Sequence, residues 1–201
     1  TQEPVWTAPF ATGNRVWGTP RVDAERVYVA SMDHAVYALD RATGQLLWQH
    51  DLGASAPGAL TLADGRVYVG SVNRYLTCLN AEDGAELWRS SQYDGWVWGE
   101  ALVVGDGIYF GSLDGAMHAL NTADGSTRWA DVQLDGAIRA GPALAGETLV
   151  VGTENGYVYT LDLANGAKSL IFGDREDEKL GAVLSTPVVA GDMVYVSTTT
   201  A

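Results

Sequence analysis

The sequence predicts an all-β chain of tandem four-stranded antiparallel units, and three observations carry that prediction. One segment recurs about every forty residues: Val27-Tyr28-Val29-Ala30-Ser31, Val67-Tyr68-Val69-Gly70-Ser71, Ile108-Tyr109-Phe110-Gly111-Ser112, Leu149-Val150-Val151-Gly152-Thr153 and Val194-Tyr195-Val196-Ser197-Thr198. The first residues of these segments lie 40, 41, 41 and 45 positions apart. Each unit holds four short runs rich in β-branched and aromatic residues, parted by Gly, Asp and Asn turns, with no helical period. The third run of each unit is apolar on both faces, so it needs cover from both sides. A repeat of this length and pattern is that of β-propeller blades packed face to face.

Within a unit, the first run holds Val22, Leu62, Val103, Leu144 or Val189 at one aligned position, and the second is the recurring anchor. The turn that follows reads Asp33-His34, Asn73-Arg74, Asp114-Gly115 or Asn155-Gly156. It suits a type I′ hairpin with positive φ at both central residues, although His34 and Arg74 depart from that preference. The third run is Val36 to Leu39, Leu76 to Leu79, Met117 to Leu120 or Val158 to Leu161. Its exit turn opens on Asp40, Asn80, Asn121 or Asp162, able to close an Asx turn, and ends on Gly44, Gly84, Gly125 or Gly166, where a left-handed residue costs least. Four residues after the glycine, the fourth run carries Trp48, Trp88 and Trp129, with Leu170 in the last copy.

The repeats divide the chain into blades over residues 16–53, 54–94, 95–135 and 136–173, with part-blades at 1–15 and 182–201. Trp6 reads as the outer-strand tryptophan of a blade whose earlier strands are absent. Thr186 to Val189 and Val194 to Thr198 read as the first two strands of a fifth blade. Two arrangements stay open. The chain is a segment of a larger ring, or it closes as five blades with the strand around Trp6 paired to the C-terminal strands. Strand edges left open in the first arrangement invite self-association.

Lys plus Arg number 12 against 25 Asp plus Glu, for a net charge of −13, which leaves little basic surface for nucleic acid. A single cysteine, Cys78, excludes an internal disulfide and any Cys-cluster metal site. No run of apolar residues is long enough for a membrane-spanning helix. A chain that begins at Thr1 reads as a processed product or a trimmed chain, and in the first case a removed signal or lipoprotein leader and an extracytoplasmic location are expected.

Ala38, Asp40, Thr43, Gly44 and Trp48 form a spaced motif that resembles the tryptophan-docking motif of the PQQ-like, quinoprotein-type propeller repeat family. Asn80, Gly84 and Trp88 make a second copy, and Ala119, Asn121, Gly125 and Trp129 a third. The resemblance implies that Trp6, Trp48, Trp88 and Trp129 are structural, each docked between adjacent blades, and that the parent ring has seven or eight blades. PQQ-dependent alcohol dehydrogenases share the repeat, but their resemblance also implies a full ring around the quinone, a calcium-type cation and commonly a vicinal cysteine pair, which one cysteine cannot supply. The chain is also similar to the propeller lipoprotein of outer-membrane protein assembly, which implies a protein partner and no cofactor. The expected function is therefore a non-catalytic extracytoplasmic scaffold; a dehydrogenase fragment and a small-ligand or glycan-binding propeller are the alternatives.

No catalytic, cofactor or metal residue is assigned. His34, His50 and His118 lack metal-ligand spacing, and His118 fills a slot held elsewhere by Tyr37, Thr77 and Tyr159, as a packed or hydrogen-bonded strand histidine would. The acidic stretch Asp174 to Glu178 lacks the ligand alternation and central glycine of an EF-hand and reads as a solvated loop. The candidate partner or ligand surface is Trp17, Trp96, Trp98, Glu100 and Arg139. Ten positions before each anchor stand Trp17, Pro57, Trp98, Arg139 and Leu184, at the entry to the innermost strand. Trp96, Trp98 and Glu100 share a face if that strand extends so far. Aromatics and Arg are the types enriched in binding hot spots, while a cap on the core is the plain structural alternative.

Overall fold

The computed structural model describes residues 6–173 and 180–199, and among these the regular structure is all β, as the sequence predicts. The first sheet contains β1 (Arg21–Val22), β2 (Arg26–Ala30), β3 (Ala35–Asp40) and β4 (Leu46–Asp51). The second contains β5 (Thr61–Ala63), β6 (Arg66–Gly70), β7 (Leu76–Asn80) and β8 (Glu86–Arg89). The third contains β9 (Leu102–Val104), β10 (Gly107–Gly111), β11 (Ala116–Asn121) and β12 (Thr127–Gln133). The fourth contains β13 (Ala143–Ala145), β14 (Thr148–Gly152), β15 (Val158–Asp162) and β16 (Lys168–Phe172), and β17 (Val188–Ala190) pairs with β18 (Met193–Tyr195). Every sheet is an antiparallel meander in chain order. Among the described residues no strand forms around Trp6, and no strand other than β17 pairs with β18. The acidic stretch from Asp174 to Glu178 lies outside the described residues.

The cores lie between blades, which is why the third strands are apolar on both faces. Trp48 packs with Tyr28, Leu60, Val67 and Leu79 between the first two blades, and Trp88 with Tyr68, Phe110 and Leu120 between the next two. Cys78 is part of the second of these cores, and burial pushes its thiol up to about 12, leaving a neutral packing residue. Each tryptophan ring lies on the turn glycine of the following blade. A Cβ at Gly44, Gly84, Gly125 or Gly166 would come within 2.6 to 2.9 Å of Trp6, Trp48, Trp88 or Trp129 in turn, and all four glycines have φ between +73° and +74°. The indole N–H of Trp6, Trp48 and Trp88 donates to the carbonyl of Arg41 (2.9 Å), Ala81 (3.1 Å) and Thr122 (2.9 Å). That of Trp129 is buried with no partner.

A second device ties the inner parts of neighbouring blades. The amides of Ala56, Val97, Ile138 and Val183 donate to the carbonyls of Ser31, Ser71, Ser112 and Thr153 of the preceding blade. The residue before each acceptor is small for a reason: a Cβ at Gly70, Gly111 or Gly152 would meet Val97, Ile138 or Val183 at 2.2 to 2.6 Å. At the first interface the pair is Ala30 and Ala56, both buried, so bulk moves from one partner to the other while the spacing holds.

The hairpin turn after the second strand differs from the type I′ expectation. Positive φ occurs only at His34 (80°), Arg74 (73°), Gly115 (87°) and Gly156 (81°), and not at the Asp or Asn before them. The amides of Arg74, Gly115 and Gly156 bond the carbonyls of Ser71, Ser112 and Thr153, a type I turn closed by one left-handed residue. The first turn residue is thereby free to use its side chain: Asn73 and Asp114 bond the hydroxyls of Ser71 and Ser112. Asx turns form at Asp40, Asn80 and Asp162, whereas the Asn121 amide bonds Ser126 and Arg128 instead.

Three interface tyrosines give the fold an alkaline limit. Tyr28, Tyr37 and Tyr159 donate to Asp23 (2.8 Å), Asp33 (2.7 Å) and Asp135 (2.7 Å). Burial first, and then these carboxylates, push Tyr37 and Tyr159 up to about 12 and Tyr28 higher still. A raised folded-state value favours the neutral phenol, so this stability is complete below the ordinary tyrosine value near 10 and is lost as pH rises through about 12. Phenolate absorbance should therefore rise together with loss of the β-sheet circular dichroism; phenolate formation in a chain that stays folded would refute the coupling.

Candidate functional site

Just before the first strand of each unit, the chain runs through a short segment whose residues converge. Residues 17–19, 57–59, 98–100, 139–141 and 184–186, one segment per blade, line a single open cavity of about 250 Å³. Backbones pass so closely here that side chains are excluded from their contacts. A Cβ at Gly18 would lie 2.2 Å from the carbonyl oxygen of Gly58, one at Gly58 1.8 Å from that of Trp98, and one at Gly99 2.7 Å from that of Ala140. This glycine collar was open to sequence reasoning, since Gly18, Gly58 and Gly99 each follow an aligned position by one residue. It fixes where Trp17, Trp98 and Arg139 emerge.

Four of the five candidate residues form one aromatic cluster. The rings of Trp17 and Trp98 are 6.0 Å apart, and those of Trp96 and Trp98 are 6.3 Å apart and nearly parallel, at 13°. The Arg139 guanidinium lies over Trp98, 4.5 Å from its ring centre, and donates through Nε to Glu154 at 2.5 Å. Trp17 remains 53% exposed and Trp96 46%, more than a core cap would leave. Glu100 lines the cavity and ion-pairs with Arg21 of β1. The shared strand face proposed for Trp96, Trp98 and Glu100 is not formed, because β9 begins only at Leu102. Loop geometry and stacking, rather than strand alternation, bring Trp96 to Trp98. Arg21 and Glu154, which set the charges of the site, carried no repeat signal of their own.

His118 is the packed, hydrogen-bonded strand histidine that the sequence predicts, but its two partners carried no signal. Its Nε2 lies 2.7 Å from Ser112 Oγ and its Nδ1 2.8 Å from Asp131 Oδ1, the order of a nucleophile, a base and an orienting acid. Ser112 is fully buried, however, and the Tyr93 ring covers the imidazole at 4.0 Å, so no substrate carbonyl reaches the hydroxyl. The trio braces β11 against β12 and the end of β10. Among the described residues, no group of three or more His, Cys, Asp or Glu side chains is placed to hold a metal ion, and no helix is long and apolar enough to cross a membrane.

Relatives of known type share this architecture. The sequence profile of the family described as "Outer membrane protein assembly factor BamB" matches residues 1–60 and 32–201. A BamB from Yersinia pestis is 34% identical over 103 residues, covering 44% of this chain and 25% of that protein. The serine/threonine-protein kinase AfsK of Streptomyces coelicolor is 43% identical over 90 residues, covering 44% of this chain and 10% of the kinase. The chain thus spans a quarter or less of these two curated relatives. Among solved structures, BamB from Moraxella catarrhalis superposes with a TM-score of 0.75 at 23% identity, over 90% of this chain and 57% of that one. The quinohemoprotein alcohol dehydrogenase ADHIIG from Pseudomonas putida HK5 does so at 0.77 and 14%, over 95% and 39%. At these identities the superpositions show a common propeller fold, and the fold alone does not separate an assembly factor from a dehydrogenase. The profile match, running from one end of the chain to the other, does more: this chain belongs to the family of the outer membrane protein assembly factor BamB.

Proposed function

We propose that this chain is a non-catalytic, extracytoplasmic propeller scaffold that binds a protein partner through its axial aromatic face, in the assembly of outer-membrane proteins. The observation that carries the reading is the cluster of Trp17, Trp96 and Trp98 with Arg139, held rigidly by the glycine collar yet half-exposed. Rigid aromatics and Arg concentrate binding energy because little side-chain entropy is lost on association. Membership in the BamB family supports the setting. Self-association would use the open edge of β18, where Met193 and Tyr195 are exposed.

A photo-crosslinking residue at position 17 should capture an envelope assembly protein in the native host, while the same residue at the exposed outer-strand position 47 should not. The second reading, a segment of a quinoprotein dehydrogenase, shares the same propeller fold. Addition of PQQ and Ca²⁺ separates the two: tight quinone binding with dye-linked alcohol oxidation would overturn the scaffold.

A further inference from the structure

Where four polar groups share too few protons, protonation decides which hydrogen bonds form. We infer that the buried Ser112–His118–Asp131 trio, extended by Asp114, is a proton-controlled latch on the loop that carries Trp96 and Trp98, holding the platform when His118 carries two ring protons and loosening it when one is lost. The consequence for a partner rests on the scaffold reading; the latch itself does not. Ser112 Oγ contacts Asp114 Oδ1 and lies 2.7 Å from His118 Nε2, while Asp131 Oδ1 lies 2.8 Å from Nδ1. These three links need three protons. Ionised carboxylates only accept, the hydroxyl supplies one proton and a neutral imidazole one, whereas an imidazolium supplies two. With His118 neutral and its Nδ1–H on Asp131, the Ser112 hydroxyl serves either Nε2 or Asp114 and leaves the other link without a proton. Its remaining neighbour, the Ala116 carbonyl at 3.3 Å, is an acceptor as well. One added proton completes the chain.

The ionisable groups that face the ring are Asp131 on β12, Asp114 in the turn and Tyr93 from the segment after β8; β10 contributes only Phe110, at 5.1 Å. Burial raises the Tyr93 phenol, which stays neutral, and among the described residues no Lys or Arg pairs with either carboxylate. Burial opposes a charged ring, and two carboxylates without another cation favour it. The latch reaches the platform through the backbone. A Cβ at Gly95 would lie 2.3 Å from the Asp114 amide nitrogen and 2.9 Å from its Oδ1, so the loop from Tyr93 to Trp98 rests directly on this turn. The amide of Leu113 donates to the Trp96 carbonyl at 3.0 Å, and Tyr93 covers the imidazole at 4.0 Å. When Asp114 loses its proton donor, the turn that carries Leu113 shifts, and Trp96 moves with it against Trp98. The intact chain binds one proton more than the broken one, so falling pH favours the held loop and rising pH releases it.

The test titrates the purified protein, labelled with ¹⁵N at its three histidines, over about pH 5 to 9, which brackets the ordinary histidine range. NMR of the imidazole nitrogens should show His118, assigned by its absence in His118→Thr, passing from two ring protons to one as pH rises. The near-ultraviolet circular dichroism of the stacked indoles should change along the same curve while the thermal melt is kept. Thr77 holds the aligned slot in the second blade, so His118→Thr places there a residue that the slot accepts, and it should abolish the spectral titration. Asp114→Asn, with the residue type of Asn73, removes one carboxylate and should move both curves to lower pH by about one unit. A His118 ring that keeps one protonation state across the range, indoles that ignore its titration, a spectral change that survives in His118→Thr, or unmoved curves in Asp114→Asn would overturn the inference. A pH-dependent indole signal in a protein that captures no envelope partner from position 17 would keep the latch and remove the scaffold reading; capture with pH-independent indoles would keep the scaffold and remove the latch.

Discussion

Trp88→Ala should lower the stability of the chain by roughly 3 to 5 kcal/mol, the cost of emptying a large aromatic site in a core that cannot collapse around it. The ring is 8% exposed, lies on Gly125 of the next blade, tilts against Tyr68 at 5.8 Å and donates to Thr122 at 2.9 Å. Removing it opens a gap between two sheets whose separation is set elsewhere, by the amide of Val97 on the carbonyl of Ser71. Its neighbour Leu87, 46% exposed on the opposite face of β8, supplies the control, and Leu87→Ala should change stability by only about 0.5 kcal/mol. Urea unfolding of the two variants checks this, and equal midpoints would mean that the tryptophan does not bridge the blades. The comparison extends to Trp129, whose indole N–H is buried without a partner. Phenylalanine at that position loses no hydrogen bond, so Trp129→Phe should be milder than Trp88→Phe by about 1 kcal/mol.

The same repeats explain how much could be read in advance. The meander order, the strand positions and the tryptophan–glycine spacing were legible because they recur, and each copy constrains the alignment of the others. The convergence of Trp17, Trp98, Arg139 and Leu184 on one cavity was legible for the same reason: equivalent positions in successive blades face a common axis. Contacts that occur once were not. Arg21 with Glu100 and Arg139 with Glu154 join residues whose counterparts in other blades have different chemistry, so no periodicity announces them. The Ser112–His118–Asp131 trio is equally singular, built where one blade put His in a slot filled elsewhere by Tyr or Thr. The turn after the second strand was misread for another reason. Asn and Asp serve both the type I′ turn and the three-residue loop, and only the backbone shows that one left-handed residue suffices.

Gly58→Ala should cost roughly 3 kcal/mol, at the upper end of overpacking penalties, and should disturb the aromatic platform at the same time. The added methyl would stand 1.8 Å from the carbonyl oxygen of Trp98, and both atoms belong to the chain backbone, so no side chain can turn aside to make room. Relief requires the inner segments of the second and third blades to part. Trp98 is itself the obstacle, so it moves with that separation and loses its registration with Trp17 at 6.0 Å and Arg139 at 4.5 Å. Gly53 provides the contrast. Its φ of +72° strains any substituent, but nothing lies within 4 Å of a Cβ there, so Gly53→Ala should cost about 1 to 2 kcal/mol and leave the platform alone. Near-ultraviolet circular dichroism, sensitive to the coupling of the stacked indoles, should change for Gly58→Ala and stay constant for Gly53→Ala. A Gly58→Ala protein with the parent melting point and spectrum would mean that the blades do not meet through this glycine collar. If the spectrum changes as expected, rigidity at the axis comes from backbone contact, and the exposed indoles are held in place by the fold without needing a core of their own.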